Sequence, residues 1–545
     1  MNELSRRELL QAFLGAPILW AGCSDRKAVR SLDSIGGDLV LRREKLGHRM
    51  RDLGKVPVPV EWSECEVAVV GGGVAGLSCL RGLEASGIKN TLLLELDDKV
   101  GGTSQGGVNS ISAFPWAAHY ITVPMPENEK LIRLLGEVGA VEGVDPEGRP
   151  IMAEQHLCRD PSERLYYRGR WYEGLYPLAG ASASELAEKQ RFEDEIDRWV
   201  EFRDAQGRRA FVLPMSLASD DQRVRELDKV SIAQWLKARG YKSQRLHWWV
   251  EYACRDDYGT GLADTSAWSA MFYYASRKQK AGSDYQQVVT WPEGNGRLVH
   301  HMRAAVKGRV LPNHAVVSVE NQAEGVSIVA LRADDSGELK AVGFRAKHVV
   351  MATPQFVNAR VVRGLAGERL QAAQSFGQSP WMVANIELSK RPGGAGFPLC
   401  WDNVIYQSPA LGYVVATHQN GPERGPTVLT YYYPLIDSDP RVARRRLLQL
   451  GWREWAEVAL SDLERVHPGF RNSVRRIDIA RWGHGMVRST PGQVWDGRRQ
   501  LAAQPHGNIH FAHSDLSGVA LFEEAFDRGL LASEQVMSRL RGERL

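Results

Sequence analysis

The sequence predicts an α/β fold built on a parallel sheet and interrupted by a second domain of mixed α+β character, and three stretches predict it. The first is Glu66-Val67-Ala68-Val69-Val70, a valine-rich run that reads as a buried parallel strand. It stops at Gly71, and a helical pattern opens at Val74 and continues through Leu77, Leu80 and Leu83. Gly71, Gly73 and Gly76 fill the G-x-G-x-x-G positions of a dinucleotide-binding turn. The first glycine allows the tight turn, the second lets backbone approach a pyrophosphate, and the third lets helix and strand pack closely. Val74 and Ala75, the first helical residues, present unpaired N–H groups and the positive end of the helix dipole to the phosphates. The second stretch is Thr91-Leu92-Leu93-Leu94, an apolar strand ending in Glu95, 19 residues beyond Gly76. A carboxylate there accepts both ribose hydroxyls and favours an unphosphorylated adenosine ribose. The third is the pattern that separates later returns of the nucleotide domain: helical, aromatic-rich sequence over residues 126–285, and β-branched alternation over residues 376–433.

With 545 residues the chain is long enough for two or three domains with large cores. Its net charge of +4, from 69 basic against 65 acidic residues, lacks the excess of a nucleic-acid binder. Cys23, Cys65, Cys79, Cys158, Cys254 and Cys400 are scattered, with no C-x-x-C pair or zinc-like spacing. No metal site is expected.

Ser5-Arg6-Arg7-Glu8-Leu9-Leu10, followed by a short apolar segment to Ala21, resembles a twin-arginine export signal, and the segment is too short to span a bilayer in comfort. The expectation is export through the twin-arginine machinery to the periplasm. Trp20-Ala21-Gly22-Cys23 is similar to a lipoprotein cleavage box, with tryptophan where leucine is usual, so Cys23 is a candidate for a lipid anchor. Residues 24–63 read as a linker that closes on the alternating prolines of Val56-Pro57-Val58-Pro59-Val60.

Directly after Glu95 comes Val100-Gly101-Gly102-Thr103-Ser104-Gln105-Gly106-Gly107, whose glycine pairs let backbone run tightly along a long cofactor. Strand, glycine turn, Glu95 and Val-Gly-Gly together resemble the N-terminal fingerprint of the flavin-containing amine oxidase superfamily. That group spans monoamine and polyamine oxidases, protoporphyrinogen oxidase and phytoene-desaturase-like enzymes. Thr103 stands where those proteins often carry arginine. The resemblance continues along the chain in family order. Trp291-Pro292-Glu293-Gly294-Asn295-Gly296-Arg297-Leu298 is similar to a family turn that precedes a helix. Lys347 lies in a strand ending Ala352-Thr353-Pro354, and the resemblance implies that it holds a water against flavin N5, although strand-edge lysines often simply face solvent. Ile509-His510-Phe511-Ala512-His513-Ser514-Asp515 resembles the C-terminal flavin motif, with Asp515 as its acid. The stretch from Ser517 to Ala525 resembles the final helix, whose start at Phe522 faces the isoalloxazine. Leu521 replaces the usual aromatic residue and Glu524 the usual glycine.

The resemblance implies a Rossmann-type FAD-binding domain assembled from residues 64–125, 286–343 and 476–545. The inserted mixed α+β substrate domain would comprise residues 126–285 and 344–475. It implies FAD as cofactor and hydride transfer from a C–H bond of a small-molecule substrate, an amine CH–NH, to flavin N5. Asp256 and Asp257, adjacent near the end of an apolar helix, are candidates to recognise an ammonium or stabilise a cation; they could equally cap the next helix or pair with Arg255. Two other readings follow from the same residues: a flavin desaturase or dehydrogenase of an apolar or cyclic substrate, and an exported flavin-binding protein without turnover.

Overall fold

The structure, a computed structural model, describes residues 31–40, 44–333, 338–421 and 424–542. The export motif and Cys23 lie outside the described residues. Two large sheets carry the chain. In the first, the strands Arg309–Leu311, Thr91–Leu94, Trp62–Val70 and Leu339–Met351 run parallel in that order, and Ile509–Phe511 adds in parallel to the last. Val326–Ala333 and His314–Asn321 extend the sheet as an antiparallel edge. Its central residues, among them Val67, Val69, Leu93 and Val350, are fully buried, as a sheet covered on both faces requires. The helix Val74–Ala85 lies on one face with the C-terminal helix Phe522–Leu540 packed against it. Their backbones approach so closely at Gly529 that a Cβ there would stand 1.9 Å from Ser78 Oγ.

The second sheet has eight strands, ordered Leu39–Val40, Val474–Val487, Gln378–Leu388, Thr427–Pro434, Gly412–Val415, Asp402–Ile405, Glu163–Tyr167 and Arg170–Glu173. One face buries Ile386, Tyr431, Tyr433 and Trp455. The opposite face presents Val383, Trp401 and Tyr432 to a cavity. A helical core around Phe192, Trp268 and Phe272, built from Ala183–Glu201, Gln244–Tyr258 and Ala267–Ala275, closes that cavity from another side.

Three expected boundaries move. The strand Leu339–Met351 crosses the expected break at 343/344 and pairs in parallel with Trp62–Val70, so it belongs wholly to the nucleotide sheet. The helices Gln355–Val361 and Gly367–Gln374 follow it there, burying Val361 and Ala372 in the core of that sheet. The strand Val474–Val487 belongs to the second sheet, which moves the final nucleotide segment to about residue 488. The expected linker holds the strand Leu39–Val40 and the helix Glu44–Asp52, tied down by parallel pairing with Ile479–Ala480 and by an Arg481–Glu44 ion pair at 2.7 Å. An apolar run signals a buried strand but not which sheet buries it.

Candidate active site

The glycine turn forms as its sequence dictates. Gly71 sits at φ +103°, a conformation that L side chains rarely adopt, and its N–H donates to the Leu94 carbonyl at 2.8 Å. The first carbonyl accepting within the helix is that of Gly73, from Leu77 N–H at 3.0 Å, so the N–H groups of Val74, Ala75 and Gly76 have no intrahelical acceptor. Gly73 faces open space, with nothing within 4 Å of a Cβ placed on it. Gly101 (φ +123°) and Gly102 (φ +55°) lie alongside: Gly101 N–H donates to Gly72 O at 2.7 Å, and Gly73 and Gly101 form a parallel bridge. The two glycine elements thus make one backbone-lined cradle beside a helix N-terminus, a fit for a pyrophosphate.

Glu95 stands under that turn. Its oxygens accept N–H groups from Gly72 (2.6 Å) and Asp97 (2.7 Å), which leaves each a lone pair for ribose. Burial pushes its carboxyl up to about 7 against the pull of those donors. Asp515 is buried and already engaged. It accepts from Gln355 N–H at 2.8 Å and Gln378 Nε2 at 2.9 Å, and His513 Nδ1 lies 3.1 Å away. Burial raises its pKa, but His513, Gln355 and Gln378 together outweigh burial and hold it below the usual carboxylate range. Ala520, Leu521, Phe522 and Glu523 bring the start of the C-terminal helix to one end of the cavity, where its positive end would favour an anionic reduced flavin. Asn295 Oδ1 lines the same cavity, buried and without a partner in the protein, so a donor belongs in the space beside it. The residues present fit FAD.

The cavity measures about 640 Å³ and reaches from Thr103 and Phe522 to the second sheet. Among the described residues, seven acidic side chains line it (Asp160, Glu163, Glu173, Asp256, Asp257, Asp402 and Glu523) against two basic ones, Lys189 and Arg277. Asp256 and Asp257 end the helix Gln244–Tyr258, which Gly259 terminates in the left-handed conformation. Asp257 pairs with Arg277 at 2.7 Å, both side chains buried. Arg255, the expected partner, instead donates to the carbonyls of Ser408 (3.1 Å) and Ala410 (2.9 Å). Tyr120 donates to Asp256 at 3.4 Å, and Tyr252 to Asp402 at 3.2 Å. Burial first, then the neighbouring Asp257, pushes Asp256 up to about 7, with Arg277 and Tyr120 opposing. Burial and then the negative charges of Asp256 and Glu163 carry Asp402 well above its ordinary value. Burial also lifts Glu163 and Glu523 to about 7.

Aromatic rings complete the wall. His119 stacks on Tyr432 with centroids 4.7 Å apart, and Tyr120 meets Trp401 edge-on at 5.8 Å. Burial drives His119 down to about 4, so it is a neutral ring here. An aromatic wall therefore exists, displaced from Leu521 to the second sheet. Sequence reasoning singled out Asp256 and Asp257. It missed Glu163, Arg277, Trp401, Asp402 and Glu523, which carry no local motif.

Lys347 is not in the site. Its side chain is 68% exposed and pairs with Glu66 at 3.1 Å. It precedes the strand's last residue, Met351, by four positions, about 13 Å at roughly 3.3 Å per residue. Ligands of such sheets bind at the carboxyl ends of the strands. The pleat also turns Lys347 outward while its neighbours Ala346 and His348 are buried. His484 is a packed ring, stacked on Phe356 at 4.1 Å. Glu524 is buried and accepts Met215 N–H at 2.6 Å, joining the C-terminal helix to the helical core.

The profile of the family described as flavin containing amine oxidoreductase matches residues 74–537. The oxidoreductase PigB of Serratia sp. is 27% identical over 275 residues, which are 46% of this chain and 39% of that protein, so the match spans about two fifths of that relative. AofH of Mycobacterium tuberculosis, named as a flavin-containing monoamine oxidase, is 26% identical over 87% of this chain and 97% of its own. Among solved structures, putrescine oxidase bound to putrescine superposes with a TM-score of 0.64 at 17% identity, over 88% of this chain and all of that one. Cyclohexylamine oxidase from Brevibacterium oxydans does so with a TM-score of 0.62 at 14% identity, over the same shares. The chain belongs to the flavin containing amine oxidoreductase family and is an FAD-dependent oxidoreductase of the amine-oxidase type, its nucleotide domain of Rossmann type and its second domain a mixed α+β insertion.

Proposed function

We propose that the substrate is an amine with more than one positive charge, a di- or polyamine. The observation that carries this is the seven-to-two excess of acids over bases in an aromatic-walled cavity. Carboxylates attract a cation and aromatic faces add cation–π attraction. A putrescine-binding oxidase among the structural neighbours supports the same choice. An apolar desaturase substrate would leave those acids facing hydrocarbon, an arrangement with a large desolvation penalty. Bound FAD would supply the hydride acceptor. The protein's part is to hold the substrate C–H bond toward the flavin end at Ala520–Glu523 and to exclude water. The test is an absorbance spectrum followed by anaerobic titration with 1,4-diaminobutane, cyclohexylamine, arylalkylamines and amino acids. The expected result is a flavin spectrum bleached fastest by 1,4-diaminobutane, with peroxide formed when air returns. A bound flavin that no amine bleaches would overturn the proposal in favour of a desaturase or a flavin-binding protein without turnover.

The proposal extends to location: export by the twin-arginine machinery to the periplasm, with Cys23 as a site of lipid attachment, supported by Ser5-Arg6-Arg7 and Gly22-Cys23. Changing Arg6 and Arg7 to lysine should hold the protein in the cytoplasmic fraction. Export undiminished by that change would sink this part.

A further inference from the structure

An alkylammonium ion cannot give up a hydride from the carbon next to nitrogen until the nitrogen has shed a proton and regained its lone pair. Lys347 is out of reach, on the outer surface of the nucleotide sheet. Either the scarce neutral amine enters from solution or another group in the cavity takes that proton, and one carboxylate is placed to do so.

We infer that Asp256 is the proton acceptor for the incoming ammonium group, with Tyr120 holding its carboxylate in position. This rests on the amine-oxidase reading and goes beyond it. Asp256 lines the cavity and is bonded to Tyr120 at 3.4 Å. Tyr120 begins the short strand Tyr120–Thr122, and the backbone N–H of Thr122 donates to Glu523 at the flavin end of the C-terminal helix. Asp256 is thus tied, through Tyr120, to the strand that runs to the flavin end of the cavity. The other acids are less suited. Asp257 is locked to Arg277, and Glu523 lies within the field of that same cation. Asp402 and Glu163 lie on the far sheet, where they suit a second ammonium group.

The step balances without a further reactant. The ammonium N–H bond breaks, its electron pair stays on nitrogen, and the proton forms an O–H bond with Asp256, giving neutral amine and neutral carboxylic acid. Such an acid–acceptor match is efficient when the acceptor titrates near the working pH. The groups facing Asp256 set that value. Asp257 on its own helix raises it; Arg277, from the segment after Ala267–Ala275, and Tyr120 lower it. Asp402 and Glu163 approach from the second sheet, while Tyr252, Tyr273 and Tyr432 are neutral neighbours, their hydroxyls held above the ordinary value by burial.

The test uses the FAD-loaded full chain. For the wild type, the rate of anaerobic flavin reduction by 1,4-diaminobutane should rise with pH through about 7 and then level. In Asp256→Asn the neutral amine must come from solution, so the rise should move toward the amine's own pKa, about 10. The rate at pH 8 should fall by about 10²-fold, the scarcity of neutral amine at that pH. Tyr120→Phe, which removes the bond that lowers Asp256, should shift the wild-type rise to higher pH; this variant decides the matter if Asp256→Asn fails to keep flavin. A second readout needs no turnover. In enzyme reduced with dithionite, binding of 1,4-diaminobutane at pH 6, followed by calorimetry in two buffers, should release about one proton more from wild type than from Asp256→Asn. A pH profile unmoved in the variants, or equal proton release, overturns the inference while leaving amine oxidation standing. A wild type that neither binds nor is bleached by any amine overturns both.

Discussion

Gly76→Ala is expected to purify without a flavin spectrum. A Cβ on Gly76 would lie 1.8 Å from the carbonyl oxygen of Gly71 and 3.0 Å from its carbon, and both are backbone. No side chain can swing aside. Gly71 is itself fixed by its positive φ, and a Cβ there would meet the Ala352 carbonyl at 2.6 Å. Relief requires the helix Val74–Ala85 to lift from its strand, which carries the Val74 and Ala75 N–H groups away from the phosphates. Overpacking of this kind costs about 1–3 kcal/mol in a core that can adjust, and this backbone contact has less freedom than a core. Gly73→Ala separates the two roles of the turn. Its Cβ meets nothing within 4 Å, so the fold is kept and only the space for the cofactor is filled. The ratio of flavin to protein absorbance, read beside far-ultraviolet circular dichroism, distinguishes the cases. Both variants should lose flavin, and Gly73→Ala should keep its secondary structure and melting temperature. A fully flavinylated Gly76→Ala would mean that the close helix–strand contact is not needed.

The cofactor half of the site was legible because its parts are local. Gly71, Gly73, Gly76 and Glu95 fall within 25 residues, and Gly101–Gly102 follow at once, so spacing alone reports their geometry. The substrate half was not. Tyr120, Glu163, Asp256, Asp402 and Tyr432 come from five stretches that only tertiary packing brings together, and a lone Asp402 at the start of a short strand reads as nothing in particular. Lys347 shows the opposite failure. A motif register placed it beside a flavin, whereas pleat and strand end decide where a side chain points, and both put it outside.

Arg277→Met is expected to destabilise the protein by about 3–5 kcal/mol near neutral pH, the usual cost of removing one partner of a buried ion pair. The guanidinium and the Asp257 carboxylate are 2.7 Å apart, with side chains only 8% and 3% exposed. Arg277 also donates to the Tyr273 carbonyl at 2.7 Å and lies over the Tyr273 ring at 4.2 Å. Without the cation, burial raises Asp257 and nothing opposes it, so the folded variant holds that carboxyl neutral. A group with a folded pKa above its unfolded value stabilises most below the unfolded value, near 3.9 for aspartate, and loses that contribution as pH rises toward the folded value. The destabilisation should therefore be small near pH 4 and grow toward neutrality, which urea unfolding at several pH values measures. Asp257→Asn combined with Arg277→Met replaces that carboxyl by a group that needs no protonation to stay buried, and should recover much of the loss. Because Asp257 is neutral in the single variant, Asp256 loses both the Arg277 cation that lowers it and the Asp257 charge that raises it more, so the pH rise of flavin reduction should move downward. A stability loss independent of pH would mean that Arg277 acts through packing on Tyr273 and not through its charge.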